Sequence, residues 1–402
     1  MQRAKTDNTE VESRIDWGII FCVLLLALIG LASIYVAASH DSSGSGVVRQ
    51  VVTQLAWYLV GTVMVIVIMQ FDSEQLWKLA PIAYWAGIFL MFAILIFYSR
   101  SYYVSTGAKS WFAVGPFTFQ PSEIMKPAYI LMMGRVITTH NSQYPVHKVD
   151  SDWRLIGKMF MWLLPVFISL KFQNDFGTSL VFFAIFVGMI LVSGVTWRIL
   201  VPAFSILAVV GGSALAMVTS TAGRVILEKV GFQSYQFSRV DTWLHPDQDT
   251  SNQGYQLWQS IKAVGSGGVT GTGFNNSKVY VPVRESDMIF SVIGENFGFV
   301  GGILLILLYL LLIYLMIRVT FDTKNEFYAY ISTGVIMMIL FHVFENIGMN
   351  IGLLPLTGIP LPFISAGGSS LVGNLIGIGM IMSMRYHHRS YMFSNNQTST
   401  RE

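Results

Sequence analysis

The chain has 402 residues, 53% of them hydrophobic and 12% Asp, Glu, Lys or Arg, with a formal net charge of +3. Apolar runs of bilayer-crossing length recur along it, which excludes an ordinary soluble domain, and the small charge gives no argument for nucleic acid. The single cysteine, Cys22, excludes an intramolecular disulfide and any cysteine-based zinc site.

A helix needs about 20 apolar residues to cross the hydrocarbon core. The predicted class is an all-α polytopic membrane protein with ten transmembrane helices, near 17–38, 50–70, 77–98, 122–138, 157–172, 178–195, 199–219, 288–317, 327–349 and 363–384. Residues 1–16 are a polar tail, and the run after them is too long for a signal-peptide core, so it reads as a retained first span. Between the fifth and sixth spans, Gln173, Asn174 and Asp175 argue for two helices, because lipid would solvate none of those groups. Residues 385–402 form a second tail.

With the N-terminus inside, fourteen of the twenty-five Lys and Arg residues fall in inner segments, five in short outer ones and six in the long segment 220–286. Long loops translocate largely regardless of charge, so both termini are predicted cytoplasmic and 220–286 extracellular. That loop carries Phe232, Tyr235, Phe237, Trp243, Tyr255, Leu257, Trp258 and Ile261, too much apolar surface for disorder. It is expected to form short amphipathic helices and turns on the outer membrane face. Its glycines at 265, 267, 268, 271 and 273 fit neither a Rossmann nor a P-loop spacing, and read as a turn. GLLPLTGIPLPFISAGGSS (352–370) is irregular backbone at membrane depth, tolerated where protein or water covers it, and it is expected to line the mouth of a cavity.

Polar groups in or beside spans are costly and therefore functional candidates. Asp287 ends the polar segment at the start of the eighth span, where it either caps the helix or acts as a general base with raised pKa, crowded by Arg284 and Glu285. Glu123 and Lys126, three apart, form either a helix cap with a satisfied ion pair or a cation offered to a lipid phosphate. Glu295, about two turns beyond Asp287, is expected to bond polar neighbours within the bundle. His342, Glu345, Asn346 and Asn350 make a polar stripe at helical spacing, read as interhelical hydrogen bonding ahead of a proton path.

GAKSWF (107–112), QPSEIMK (120–126), QNDFGTSLV (173–181), GYQLWQSIKAVGSGG (254–268), RESDMIFSVIGENFGF (284–299) and LLPLTGIPLPFISAGGSS (353–370) occur in that order among the ten spans. Together they resemble the SEDS family of bacterial cell-wall proteins. FHVFENIGMNIG (341–352) with PVRESDMIF (282–290) is nearer its elongation branch, the RodA type, than its division branch. The resemblance implies a peptidoglycan glycosyltransferase that polymerises lipid II on the outer face of the cell membrane beside a class B penicillin-binding protein. It implies that Asp287 is the essential aspartate and that Glu123 and Lys126 are the intramembrane pair. Asn174, Ala366 and Ser110 depart from the family pattern, and Ser110, which precedes Trp111 where the family often has an arginine, leaves Lys109 as the replacement cation.

On this reading Asp287 takes the proton from the acceptor hydroxyl, and Lys109, Lys126, Arg239 or Arg284 offsets charge on the departing pyrophosphate. No cofactor is assigned with certainty. A divalent cation, Mg or Mn, has a place at the pyrophosphate, although the sequence holds no dedicated cage for one. Two other readings are a lipid II flippase, in which the intramembrane charges matter and Asp287 does not, and a non-catalytic scaffold for the penicillin-binding partner.

Overall fold

The computed structural model describes residues 15–40, 46–114, 117–229, 240–248 and 253–394. Ten of its helices have 17 or more residues: α1 (Trp17–Ser39), α2 (Val47–Met69), α3 (Ser73–Phe97), α5 (Pro121–Gln143), α6 (Val149–Gln173), α7 (Phe176–Val192), α8 (Trp197–Thr219), α11 (Ile289–Thr323), α12 (Glu326–Asn350) and α13 (Gly368–Ser394). Between them lie the short helices α4 (Arg100–Thr106), α9 (Thr221–Lys229) and α10 (Gln253–Ser266). Two three-residue strands, β1 (Phe112–Val114) and β2 (Phe117–Phe119), pair antiparallel with Phe112 opposite Phe119. Among the described residues this hairpin is the one departure from the expected all-α content.

Local chemistry sets the helix starts. Asp16 accepts from the amides of Gly18 and Ile19, Asp72 and Gln75 form a reciprocal capping box, and Asn325 accepts from Phe327. Between α6 and α7 the chain turns at Asn174, which takes the left-handed conformation (φ 61°), and Asp175 caps α7 through the Thr178 amide at 3.1 Å. The polar separator therefore ends one helix and starts the next.

Seven of the long helices, α1, α2, α3, α6, α8, α11 and α12, are long and apolar enough to cross a membrane, and α7 is apolar but shorter. The two others, α5 and α13, lie where helix meets helix and can carry polar groups. Ser122, Glu123, Lys126 and His140 of α5 and Ser369, Ser370, Asn374 and Ser383 of α13 are all buried. In α12, 61% of the apolar stretch is buried, against 11% in α2 and α8, so α5, α12 and α13 form the centre. Around them α2 packs on α13, α3 on α5, α7 on α12 and α11 on α1. α8 is peripheral, with only Ile199 and Leu200 buried.

The bundle has two ends. At the lower end Ser383 Oγ donates to Phe71 O, Arg385 pairs with Asp322 at 2.8 Å, and Asn141 Nδ2 donates to Ser193 O and Tyr330 Oη. At the upper end lie Asp287, the β hairpin, α10 and the segment 351–367.

The segment 220–286 is only partly a surface layer. α9 lies beside α8, but α10 packs against α11 and α12, burying Leu257, Ser260 and Ala263. The glycine run after α10 meets α11 backbone to backbone: a Cβ on Gly267 would stand 2.0 Å from Gly294 O, and one on Gly271 (φ 84°) 2.1 Å from Asn296 O. Thr272 N donates to Glu295 O, and Phe299 N and Val300 N donate to Gly268 O and Val269 O. These bonds accompany a break in α11 at Gly298 (φ 63°, ψ −160°), a conformation essentially reserved for glycine. The run is thus a packing turn, and its backbone is spent on α11 rather than on a phosphate.

Candidate active site

Asp287 sits two residues before α11, and its surroundings come from three separate segments. Its backbone carbonyl accepts from Asn346 Nδ2 at 2.7 Å and Asn350 Nδ2 at 3.1 Å, both on α12. The peptides before it are tied to the 351–367 segment: Ala366 N donates to Glu285 O at 2.8 Å, and Ser365 Oγ donates to Ser286 O at 2.6 Å. Gly358 (φ 74°) lies against the carboxylate, since a Cβ there would stand 3.6 Å from Asp287 Oδ2. The irregular Pro- and Gly-containing stretch therefore forms one wall of the Asp287 site.

The carboxylate is half-buried. Burial pushes its pKa above the ordinary aspartate value, and the Ser286 hydroxyl, donating to Oδ1 at 2.5 Å, opposes part of the rise. A carboxylate tuned in this way is suited to accept a proton from a hydroxyl.

Deeper in the bundle, Glu123 and Lys126 face each other on α5, 4% and 2% exposed. Lys126 Nζ donates to both Glu123 oxygens at 2.8 Å and meets His342 Nε2 at 2.9 Å. His342 Nδ1 lies 2.6 Å from Met338 O, so its proton belongs on Nδ1 and Nε2 is left as the acceptor for Lys126. The three ammonium hydrogens are all engaged. α13 approaches this cluster closely, because a Cβ on Gly373 would stand 2.5 Å from Glu123 O.

The other expected site residues are placed as follows. Lys109 Nζ lies over the rings of Tyr98 and Tyr103, 5.2 and 5.7 Å from their centroids, and its amide donates to Gln173 O. Trp111 is half-buried, with its ring 6.0 Å from that of Tyr102. Arg284 is buried and directs a guanidinium N–H to Ala37 O at the end of α1. Glu295 is buried and accepts from the amides of Lys278 and Val279 at 2.6 and 2.9 Å, so its carboxylate holds the loop before Asp287 rather than a polar neighbour within the bundle. Arg239 lies outside the described residues. Sequence reasoning missed Ser286, Ser365 and Gly358, whose importance comes from a loop folding back over Asp287 and leaves no local signal. The 342, 346, 350 spacing was visible, but not that its two ends meet different charged groups.

Fold and site together define a polytopic helical membrane protein with a basic carboxylate at one end and a buried acid–base pair beneath it. A family model described as a cell cycle protein family, comprising FtsW, RodA and SpoVE, matches residues 16–390. The chain belongs to this family. It is 29% identical to the peptidoglycan glycosyltransferase RodA of Treponema pallidum, over 92% of this chain and 98% of that one. It is 30% identical to stage V sporulation protein E of Bacillus subtilis (93% and 98% covered) and to the peptidoglycan glycosyltransferase MrdB of Escherichia coli K12 (96% and 98%). Among solved structures it resembles a chain from a peptidoglycan synthase complex, with TM-score 0.75, 26% identity and 94% and 98% of the two chains covered. Against RodA of Thermus thermophilus the TM-score is 0.65, with 25% identity and 94% and 97% covered.

Proposed function

We propose that this protein is a peptidoglycan glycosyltransferase of the elongation type, polymerising lipid II into glycan strands during rod-shape maintenance. The observation that carries the reading is the Asp287 carboxylate, raised in proton affinity and held by its own peptide between α12 and the 351–367 wall. The names of its full-length relatives support the same activity. The ten long helices serve as ten spans, with both termini cytoplasmic and the Asp287 end extracellular, as the distribution of Lys and Arg favours. A class B penicillin-binding protein is the proposed partner, consistent with the likeness to a chain of a synthase complex.

In the reaction, the 4-hydroxyl oxygen of the acceptor N-acetylglucosamine bonds to the anomeric carbon of the donor. The donor's carbon–oxygen bond to phosphate breaks and undecaprenyl pyrophosphate leaves with the electron pair. Asp287 takes the hydroxyl proton. Pyrophosphate is a stable anion, so no general acid is needed. Lys109 and Lys126 are the cations proposed for it, with Arg239 and Arg284 as further candidates. For Lys126 this means exchanging a bond to Glu123 or His342 for one to phosphate. Among the described residues no three His, Cys, Asp or Glu side chains converge to hold a metal ion. Dependence on added Mg2+ or Mn2+ is a separate measurement.

The test is polymerisation of purified lipid II by the protein reconstituted with its partner, comparing wild type with Asp287→Asn in complexes of verified integrity. Strands from wild type and none from the variant support the assignment. Equal activity removes Asp287 as the base. Silence from both, where a known polymerase works, moves the flippase and scaffold readings ahead.

A further inference from the structure

His342, Asn346 and Asn350 follow one another at four-residue intervals on α12, so they lie on one face about a turn apart. All three are fully buried. Buried polar groups in a membrane helix are costly and persist where their bonds are made. Here the bonds lead to the two charged parts of the site. Asn346 Nδ2 donates to Asp287 O at 2.7 Å and also to Ile359 O at 2.8 Å. One amide therefore ties together the residue bearing the carboxylate and the wall beside it, where Gly358 lies against Oδ2. Asn350 Nδ2 supplies a second donor to the same carbonyl, and its Oδ1 accepts from Ser260 Oγ of α10 at 2.8 Å. One turn inward from Asn346, His342 presents Nε2 to Lys126.

We propose that this face of α12 is the positioning element of the active site: Asn346 and Asn350 hold Asp287 at its working place, and His342 holds Lys126 in register with it. The three act through other residues and touch no reacting atom. α12 is an uninterrupted helix of 25 residues, so the side chains that meet the two charged groups stand at a fixed spacing on one rigid rod. The inference rests on the proposed role of Asp287.

It is tested in the reconstituted complex by measuring lipid II polymerisation against substrate concentration and pH for wild type, Asp287→Asn, Asn346→Ala, Asn350→Ala and Asn141→Ala. Asn141 is an interhelical asparagine at the lower end, bonded to Ser193 O and Tyr330 Oη, and controls for a general loss of packing. A misplacement of about 1 Å costs on the order of 100-fold in rate, so Asn346→Ala is expected to lower kcat by roughly 10- to 100-fold. KM for lipid II stays within about twofold, because the lost interaction places the base and does not bind substrate. Freed toward solvent, Asp287 also titrates lower, so the acid limb of the profile moves to lower pH. Asn141→Ala moves neither kcat nor the limb. Where Asn346→Ala fails to assemble, Asn350→Ala removes the 3.1 Å donor to the Asp287 carbonyl but keeps those of Asn346 to Asp287 O and Ile359 O, and is expected to lower kcat and move the limb in the same direction by a smaller amount. Wild-type kcat and limb in the α12 variants beside an inactive Asp287→Asn overturn the positioning role, as does an equal loss in Asn141→Ala. An active Asp287→Asn overturns instead the reading beneath it.

Discussion

The buried Glu123–Lys126 pair makes a sharp prediction about stability. Lys126→Met leaves Glu123, 4% exposed, without the donor that both of its oxygens use at 2.8 Å. Glu123→Leu leaves the ammonium with His342 alone. Removing one partner of a buried pair typically costs about 3–5 kcal/mol, whereas replacing both by apolar groups of similar volume is often near neutral. Lys126→Met, alone or in the double variant, also strands His342 Nε2, worth about 1–3 kcal/mol. Glu123→Leu is therefore expected to lose about 3–5 kcal/mol, Lys126→Met at least as much, and the double no more than about 3, far short of the sum of the singles. Reversible unfolding in detergent micelles, followed by tryptophan fluorescence, measures all four corners of the cycle. The double variant should stay inactive in polymerisation if Lys126 also serves the pyrophosphate, which separates its structural role from its functional one. A double variant that loses the sum of the two singles refutes the reasoning, since the groups would then not compensate each other.

Three further outcomes are expected. Ser286→Ala removes the hydroxyl that holds the Asp287 pKa down, so the pKa rises further. A base works only when deprotonated, so the acid limb of the activity profile should move to higher pH; a limb unmoved or shifted down counts against Asp287 as the base. Glu295→Gln keeps an oxygen for the Lys278 and Val279 amides and should retain activity with a stability loss of about 1 kcal/mol, whereas Glu295→Leu strands both amides and should cost several times that. Loss of turnover in a well-folded Glu295→Gln would make Glu295 a substrate contact instead. Gly298→Ala forces a Cβ to within 2.4 Å of Gly271 N at φ 63°, and should lower folded yield in membranes, read by size-exclusion chromatography.

Much of this architecture is legible in a single sequence because the bilayer is a severe solvent. Apolar length and unsolvatable polar separators mark the long helices, and Asn174 and Asp175 mark an interruption that takes the form of a left-handed turn and a helix cap. The i, i+3 spacing of Glu123 and Lys126 likewise predicts a pair, because one helix geometry settles it. Where the answer depends on which segments meet across the fold, the sequence is silent. Nothing local distinguishes an α10 that lies on the membrane from one packed on α11 and α12, and the glycines between 265 and 273 declare closeness without naming the partner.

The class of molecule, its long helices, the family motifs and the charged residues in and beside the spans are therefore all readable from the chain. Each of these is a matter of composition or of spacing along one helix. The tertiary structure alone decided that Asp287 is gripped through its carbonyl by α12 and walled by residues 358–366, that His342 completes the Glu123–Lys126 cluster, and that Arg284 and Glu295 are already engaged with backbone. These are contacts between residues tens to hundreds of positions apart. They form because buried polar groups in a membrane protein must find partners wherever helix packing brings them, and that packing is a property of the whole bundle.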